Sequence, residues 1–321
     1  MNNFRKTISA ICILGIAASL AGCGSAKAAE SNKVKIGVLR TADSVPLYLA
    51  DKEGLYKKYG LDAEVIEFGS ASDQSKAAET GAIDIMMTDM VVPSIIEKGG
   101  TDMQVIATAL GAEPSQGKMS VVAGVSGKVN EASDLEGSSV AISEGTFIEY
   151  LLDSYCEELG IDISKVEKVN IPAISLRYSV LMENGETDCA VLPDPMGDFA
   201  EMNGGRMVID DTKLSGNYSI TVIAANKKFT KKKETCEKFI KAYNDAVDLI
   251  NGSPDEYKDF VLEKANVPDA LVDKYVVPTY PKNTVPTQEE VERVENWMVD
   301  KGILDKPYSY EDIVDNSFCV K

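Results

Sequence analysis

From Lys33 onward the chain alternates short apolar, β-branched runs with stretches whose apolar residues recur three and four apart, which predicts strands alternating with helices. Lys33 to Leu39 predicts a first strand, with a loop from Arg40 to Pro46 at its carboxyl end. Leu47 to Tyr59 then predicts a helix broken near Gly54 and stopped by Gly60. Ala63 to Phe68 and Ile83 to Met87 predict the second and third strands, with a helix from Asp73 to Thr80 between them. A short helix closing at Gly99-Gly100 leads to a fourth strand, Val105 to Leu110. That β-α-β-α-β-α-β order is the grammar of a mainly parallel sheet with helices on its faces.

Gly111 to Lys118 is polar and Gly/Pro-containing, and beyond it the pattern starts again. Val140 to Ile142 reads as a strand that breaks at Gly145 into a helix with Phe147, Ile148, Leu151, Leu152 and Tyr155 on one face, closed at Gly160. Val166 to Ile171 and Cys189 to Leu192 are strands around a helix from Ile174 to Asn184. Two corners repeat. Gly81-Ala82-Ile83-Asp84 is echoed by Gly185-Glu186-Thr187-Asp188, and Gly60-Leu61-Asp62 by Gly160-Ile161-Asp162, so the two halves are expected to share one plan. Val208 to Ile209 and Ser219 to Ala225 predict further strands, with Ser215 to Tyr218 as a second crossing between the halves. The remainder is helical: Lys231 to Asn251, Pro254 to Ala265, Ala270 to Val276, and a helix behind the Thr287-Gln288-Glu289-Glu290 capping box, all read as packing.

The first 22 residues have another character: Arg5 and Lys6, an uncharged apolar run from Ile8 to Leu20, then Leu20-Ala21-Gly22-Cys23. A basic start and an apolar segment shorter than a membrane span describe a secretory signal. The Leu-Ala-Gly-Cys sequence resembles a bacterial lipobox, which implies that residues 1–22 are cleaved and that Cys23 is acylated. Residues 23–32 are then a flexible tether, and the protein is expected on the outer face of the bacterial cell membrane or its periplasmic side, held by a lipid anchor. Composition is that of a globular chain, 44% hydrophobic and 26% charged. Loss of Arg5 and Lys6 leaves 31 basic against 51 acidic residues. That field disfavours nucleic acid and anionic lipid headgroups as partners. There is no histidine, so a His-ligated metal, a Ser-His-Asp triad and a Cys-His pair are excluded, and no cofactor is expected. Cys156, Cys189, Cys236 and Cys319 have no C-x-x-C spacing and read as buried free thiols, one disulfide being open to an exported chain.

Several segments together carry a family likeness: Ile36-Gly37-Val38, Pro46-Leu47-Tyr48-Leu49-Ala50, Gly54-Leu55-Tyr56 and Tyr59-Gly60-Leu61-Asp62-Ala63-Glu64-Val65. The Gly81-x-x-Asp84 corner, the Leu135-Glu136-Gly137 approach to Gly145-Thr146 and the closing Tyr310 to Phe318 add to it. The chain resembles the solute-binding proteins of ABC importers for nitrate, sulfonates, taurine and thiamine precursors (SsuA/THI5-like). The resemblance implies an α/β, type II periplasmic-binding-protein fold: lobe 1 from residues 33–115 and 220–321, lobe 2 from 116–219, a ligand cleft between them and two crossover segments. It implies a monomer that captures a small-molecule solute and delivers it to an ABC permease and its ATPase. The likeness extends to a pyrimidine-forming enzyme whose histidine and cysteine-rich motif do its chemistry. This chain has neither, so no catalysis is expected. A ligand-sensing lipoprotein built on the same clamshell is the other alternative.

Carried onto this sequence, the family's ligand loops lie at strand carboxyl ends, where open α/β sheets bind ligands. The first is Arg40 to Tyr48, with Arg40, Thr41, Asp43, Ser44 and Tyr48 as candidates. Ser70 follows the second strand, and Thr88, Asp89 and Met90 the third. Ser143, Glu144, Gly145, Thr146 and Phe147 form a turn and helix start whose backbone N–H groups could meet an anion. Pro172, Arg177, Asp194 and Met196 complete the set. Two ligand chemistries compete. Arg40, Arg177 and the Gly145-Thr146 helix start, with Ser44, Ser70 and Thr88, could fork onto a sulfonate, carboxylate or phosphate. Asp43, Asp89, Glu144 and Asp194 would repel an anion and favour an amine, amidine or aminopyrimidine. Asp194-Pro195 also reads as a helix N-cap, and Asp89 as another. Tyr48, Met90, Phe147 and Met196 could wall a ring, and the balance leans to a nitrogenous or ring-bearing ligand.

Overall fold

Val34, Ile36 and Val38 alternate along the first strand, and all three are fully buried. The computed structural model describes residues 32–125 and 127–319; the predicted signal, Cys23 and nearly all of the tether lie outside the described residues. Strand β1 (Lys33–Val38) is followed by helices α1 (Val45–Lys52) and α2 (Leu55–Lys58), strand β2 (Asp62–Glu67), α3 (Ala71–Glu79), β3 (Ile85–Asp89), α4 (Val92–Lys98) and β4 (Met103–Leu110). The second half runs β5 (Met119–Ala123), β6 (Ser139–Ile142), α5 (Phe147–Leu159), β7 (Glu167–Asn170), α6 (Ile174–Met182), β8 (Cys189–Pro193), α7 (Met196–Met202) and β9 (Arg206–Asp210). The chain then returns through β10 (Thr221–Asn226), α8 (Lys227–Thr230), α9 (Lys233–Gly252), α10 (Pro254–Lys264), α11 (Gln288–Asp300) and α12 (Tyr310–Ile313).

The strands form two five-stranded sheets, ordered β2-β1-β3-β10-β4 and β7-β6-β8-β5-β9. In the first, β1 pairs in parallel with β2 and β3, but β10 enters antiparallel between β3 and β4, so the sheet is mixed where the sequence predicts it mainly parallel. In the second, β5 enters antiparallel between β8 and β9 in the corresponding place. Strand β5 is absent from the sequence-based reading. Its Ser120-Val121-Val122-Ala123 run is buried on both faces, so it has no period-2 alternation to betray it. Each sheet is completed by a strand reaching it along a crossing segment.

The repeated Gly-x-x-Asp corners have a shared physical job. The Asp84 carboxylate accepts from the Lys35 N–H at 3.0 Å, while its own N–H donates to the Lys35 carbonyl at 2.9 Å. The Asp188 carboxylate accepts from the Ser139 N–H and hydroxyl, each at 3.0 Å. Each aspartate satisfies a donor near the start of the second strand in its sheet, β1 or β6. The Gly60 and Gly160 corners also match, with Leu61 N–H donating to the Tyr56 carbonyl and Ile161 N–H to that of Cys156, closing helix ends through a left-handed glycine.

The crossing segments touch one another. A Cβ on Gly111 would lie 2.6 Å from the Ser219 carbonyl oxygen, and one on Gly117 2.8 Å from it, so only glycine permits the approach. Buried Asp211 joins them further: it accepts from the Met119 N–H at 2.9 Å, from the Tyr155 hydroxyl at 2.8 Å and from the Ser219 hydroxyl. Helix α11, whose Thr287 capping box is complete, packs toward both halves. Glu295 meets Ser94 of α4, and the Trp297 indole donates to Asp153 of α5 at 2.9 Å. Among the described residues Cys156, Cys189, Cys236 and Cys319 are free thiols. One predicted helix is wrong: Ala270 to Val276 is a 3-10 turn at Asp269–Leu271 and a further turn closed on the Leu271 carbonyl by the Lys274 and Tyr275 N–H groups, then irregular chain, and Val276 is 81% exposed. Pro278 lies two residues on and disfavours helical continuation before it.

Replacing Asp188 with Ala strands the Ser139 donor and is expected to lower stability by about 1–3 kcal/mol. Burial alone would raise the Asp188 carboxyl, but the bonds from Ser139 and Lys128 outweigh it and hold it below the usual range. The wild-type advantage is therefore full above the ordinary aspartate pKa of about 4 and fades as pH falls below it. Urea unfolding of both proteins across that range checks both statements.

Candidate functional site

The carboxyl ends of β1 and β8, the N-terminus of α5, both crossing segments and the chain after the 269–271 turn converge on a cleft of about 370 Å³. The size suits a small organic molecule. Asp43 enters from the 3-10 turn Ala42–Ser44 after β1. That turn is fixed from below: the Tyr280 hydroxyl donates to the Ala42 carbonyl at 2.8 Å, and Tyr280 is gripped by Asn251 of α9, which accepts from its N–H at 3.0 Å and donates to its carbonyl at 2.7 Å. The same grip sets the 271–278 segment, which supplies Leu271, Lys274, Tyr275, Val276 and Pro278 to the lining.

The cleft's polar groups are poorly satisfied. Asp43 Oδ1, Thr221 Oγ1 and the Tyr275 hydroxyl are buried without a partner at good hydrogen-bond geometry, and all three residues line this cavity; Thr41 and Thr221 face the Asp43 carboxyl, and Tyr275 faces Asp194, as loose contacts. Buried polar atoms are nearly always paired, and leaving one unpaired costs about 1–3 kcal/mol. Burial raises the Asp43 carboxyl above the usual range. Asp194 is pushed up to about 6, first by burial and then by the neighbouring charge of Asp198. Tyr275 is raised as well, by burial and then by Asp194. Phe147, Leu110, Pro193 and Met119 provide apolar wall. Of the two lining lysines, Lys118 is paired with Asp198, and Lys274 is exposed.

Of the residues singled out in the sequence, Thr41, Asp43, Phe147 and Asp194 are in this lining. The others are held elsewhere. Arg40 donates to the Glu263 carbonyl at 2.9 Å from an exposed position. Arg177 is buried and donates to the carbonyls of Val191, Ile171 and Pro172 at 2.9–3.1 Å. Ser44 accepts from the Leu39 N–H, and the Tyr48 hydroxyl donates to Glu67 at 3.0 Å. Ser70 caps α3 by accepting from the Asp73 N–H. Thr88 and Asp89 end β3 instead of forming a loop. Asp89 is not the predicted N-cap, a position that Val91 holds at the start of α4; from two residues earlier it accepts from the N–H groups of Val91 and Val92, at 2.9 and 3.2 Å, and burial lifts it to about 6. Met90 is in the core beside Val91.

The helix start at α5 is occupied from within. The Gly145 N–H donates to Glu149 at 2.7 Å, Thr146 caps by accepting from the Ile148 N–H at 3.2 Å, and the Thr146 hydroxyl donates to the Ser143 carbonyl. Glu144 is exposed, with its N–H on Asn170. Bonds from Lys168, Gly145 and Lys301 outweigh burial and hold Glu149 down at about 2, so a carboxylate of this chain already fills the place an anion would take. Asp194 is not the predicted N-cap: α7 begins at Met196 with Pro195 in the cap position, one residue too late for Asp194 to serve. Met196 packs in a satellite cluster with Tyr178 and Met207.

Thr221, Ser219, Lys118 and Tyr275 were not singled out in the sequence. The first three lie on or beside the crossings, where the chain enters the cleft twice. Tyr275 falls in the Ala270 to Val276 stretch, whose spacing reads as helix packing.

A model of the NMT1/THI5-like family matches residues 41–257. A putative ABC transporter periplasmic binding protein of Brachyspira hyodysenteriae is 24% identical over 270 residues, covering 78% of this chain and 76% of the relative. A putative thiamine biosynthesis protein of Haemophilus influenzae is 24% identical over 236 residues, 70% of each chain. Among solved structures, the periplasmic aliphatic sulphonate binding protein SsuA of Escherichia coli superposes with a TM-score of 0.75 at 16% identity, covering 88% of this chain and 91% of that one. The periplasmic nitrate-binding protein NrtA of Synechocystis gives 0.71 at 14% identity, covering 90% and 87%. The two sheets, each with an antiparallel strand inserted, are thus the periplasmic-binding-protein fold. With more than half of its length matched, the chain belongs to the NMT1/THI5-like family.

Proposed function

We propose that this protein is the solute-binding component of an ABC importer and that it captures a small nitrogenous solute, such as an aminopyrimidine or another compound rich in N–H donors. Residues 33–115 with 220–321 act as one lobe and 116–219 as the other. Acylated Cys23 anchors the protein outside the cell membrane, where it works as a monomer with a permease and its ATPase. The observation that carries the ligand class is the set of unpaired atoms in the cleft. An ionised Asp43 only accepts hydrogen bonds, and Thr221 and Tyr275 can each donate or accept. A ligand that presents donors to Asp43 and Asp194 and a flat face to Phe147 satisfies them together. The family and the similarity to a periplasmic binding protein support the importer role. The arginines and the helix start that would suit an anion are bonded within the chain.

Mass spectrometry of the small molecule released on denaturing the purified protein tests this directly. A recovered amine or aminopyrimidine that raises the melting temperature supports the reading, since a ligand at a hundred times its Kd adds about 2.7 kcal/mol. A sulfonate or carboxylate would overturn the ligand class, and an empty protein stabilised by no solute of either kind would overturn capture itself.

Asp43→Asn and Tyr275→Phe are expected to weaken binding by about 10- to 100-fold while leaving the ligand-free protein close to the wild type in stability, because the first removes a desolvated acid and the second a hydroxyl without a well-formed bond. Calorimetric titration and melting curves separate this from a structural role, which would lower both.

The pH dependence has a definite sign. Asp194 titrates near 6 in the fold, above its unfolded value of about 4, so its stabilising contribution is full below about 4 and is lost as pH rises through 6. Asp89, near 6, and Asp211, near 7, act in the same direction. The ligand-free protein should therefore melt higher at pH 5 than at pH 7.5. A cationic ligand needs Asp194 ionised, so its affinity should rise about tenfold between pH 5 and 7. An anion would show the reverse.

A further inference from the structure

The first sheet has two ends. Thr221 of β10 lines the cleft at one, and five residues later, roughly 16 Å away at about 3.3 Å per residue, Asn226 marks the other. There Asn226 caps α8 by accepting from the Phe229 N–H at 2.8 Å. Asp84 ties this end together, bonding to Lys35 through its carboxylate and N–H and accepting from the Asn226 N–H at 2.9 Å. The start of β1, where the described chain emerges at Asn32, is therefore beside the start of α8.

Seven of the 33 basic residues of this net −18 chain fall between Lys227 and Lys241, against two acids, Glu234 and Glu237. Lys227 pairs with Glu97, and Lys238 with Glu234. Lys228, Lys231 and Lys233 are exposed and Lys232 partly so, and none of the four is in an ion pair among the described residues. The screening length at physiological salt is about 8 Å, far shorter than the strands, so an approaching surface meets this patch locally and not the acidic average.

We propose that the lysine patch on α8 and the start of α9 is a docking surface for anionic phospholipid headgroups. It sits at the end where the chain runs back toward Cys23, and a basic face next to a lipid tether meets the bilayer first. The base of the first lobe then rests on the membrane with the cleft at the far end of its strands. The patch stands on the lysines alone; the reading of Cys23 supplies only the orientation.

All elements of both sheets lie within residues 33–226, so a chain beginning at Gly24 keeps the whole fold and no anchor. That chain should sediment with vesicles containing phosphatidylglycerol and not with pure phosphatidylcholine, and should be released at about 0.5 M salt. Changing Lys228, Lys231, Lys232 and Lys233 to Gln should weaken binding by about a hundredfold or more. The same change at Lys57, Lys76, Lys165 and Lys213 should leave it intact, which separates patch from net charge. All eight side chains are at the surface, and melting curves confirm folding. Absence of any preference for anionic vesicles, or equal losses in the two variants, would overturn the proposal. So would a patch variant that binds vesicles normally yet loses contact with the permease.

Discussion

The return of one antiparallel strand, β10, to the first sheet after the whole second sheet is the constraint on which everything else here rests. Strand β10 hydrogen-bonds to β3 and β4 of the first sheet only after the chain has built the second, and β5 completes the second sheet directly on leaving the first. The return of β10 makes the chain cross twice between the sheets, and the crossings bring Lys118, Ser219 and Thr221 to the cleft. It also forces Gly111 and Gly117 against the Ser219 carbonyl, where a side chain has no room. Asp211 then binds Met119 from one crossing and Ser219 from the other.

The cleft gathers three of the five buried side-chain atoms left without a well-formed bond among the described residues, the other two being on Gln74 and Thr187. Arg177 makes three bonds to carbonyls, Glu149 fills the start of α5, and Asp84 and Asp188 each satisfy strand donors. Against that background the poorly bonded atoms on Asp43, Thr221 and Tyr275 are informative because they fall together in one cleft. Proteins concentrate such violations at functional sites, where a partner from outside completes them.

Much of this was legible in the sequence because it is written in local chemistry. Glycines at positive φ stop helices at Gly60 and Gly160, and the Thr287 box opens α11 as its spacing predicts. The echo of Gly81-x-x-Asp84 at Gly185-x-x-Asp188 survives because both corners do one job. What stayed hidden is non-local. Strand β5 carries no alternation, since neighbours cover it on both sides. Nothing near Thr221 shows that β10 inserts between β3 and β4. Tyr275 sits in a helix-like apolar spacing, and only the grip of Asn251 on Tyr280 turns that segment toward the cleft. Arg177 misleads in the opposite sense: a lone arginine near a predicted loop reads as a ligand contact, and its burial among carbonyls is a tertiary fact.

The returning strand also imposes an order of events in time. Residues 119–210 hold all five strands of the second sheet in one contiguous segment. The first sheet has no such independence, because the one strand that β4 pairs with among the described residues is β10, and its remaining backbone-to-backbone bonds go to Thr284 and Asp315, later still in the chain. A chain that emerges amino-terminus first, from a ribosome or a secretion pore, therefore finishes its second half before its first. Until Asn226 appears, β4 presents an open edge, and such an edge invites mispairing and recruits chaperones. The half made earliest stays unfinished longest, which keeps the leading part of the molecule loose and threadable while the rest follows.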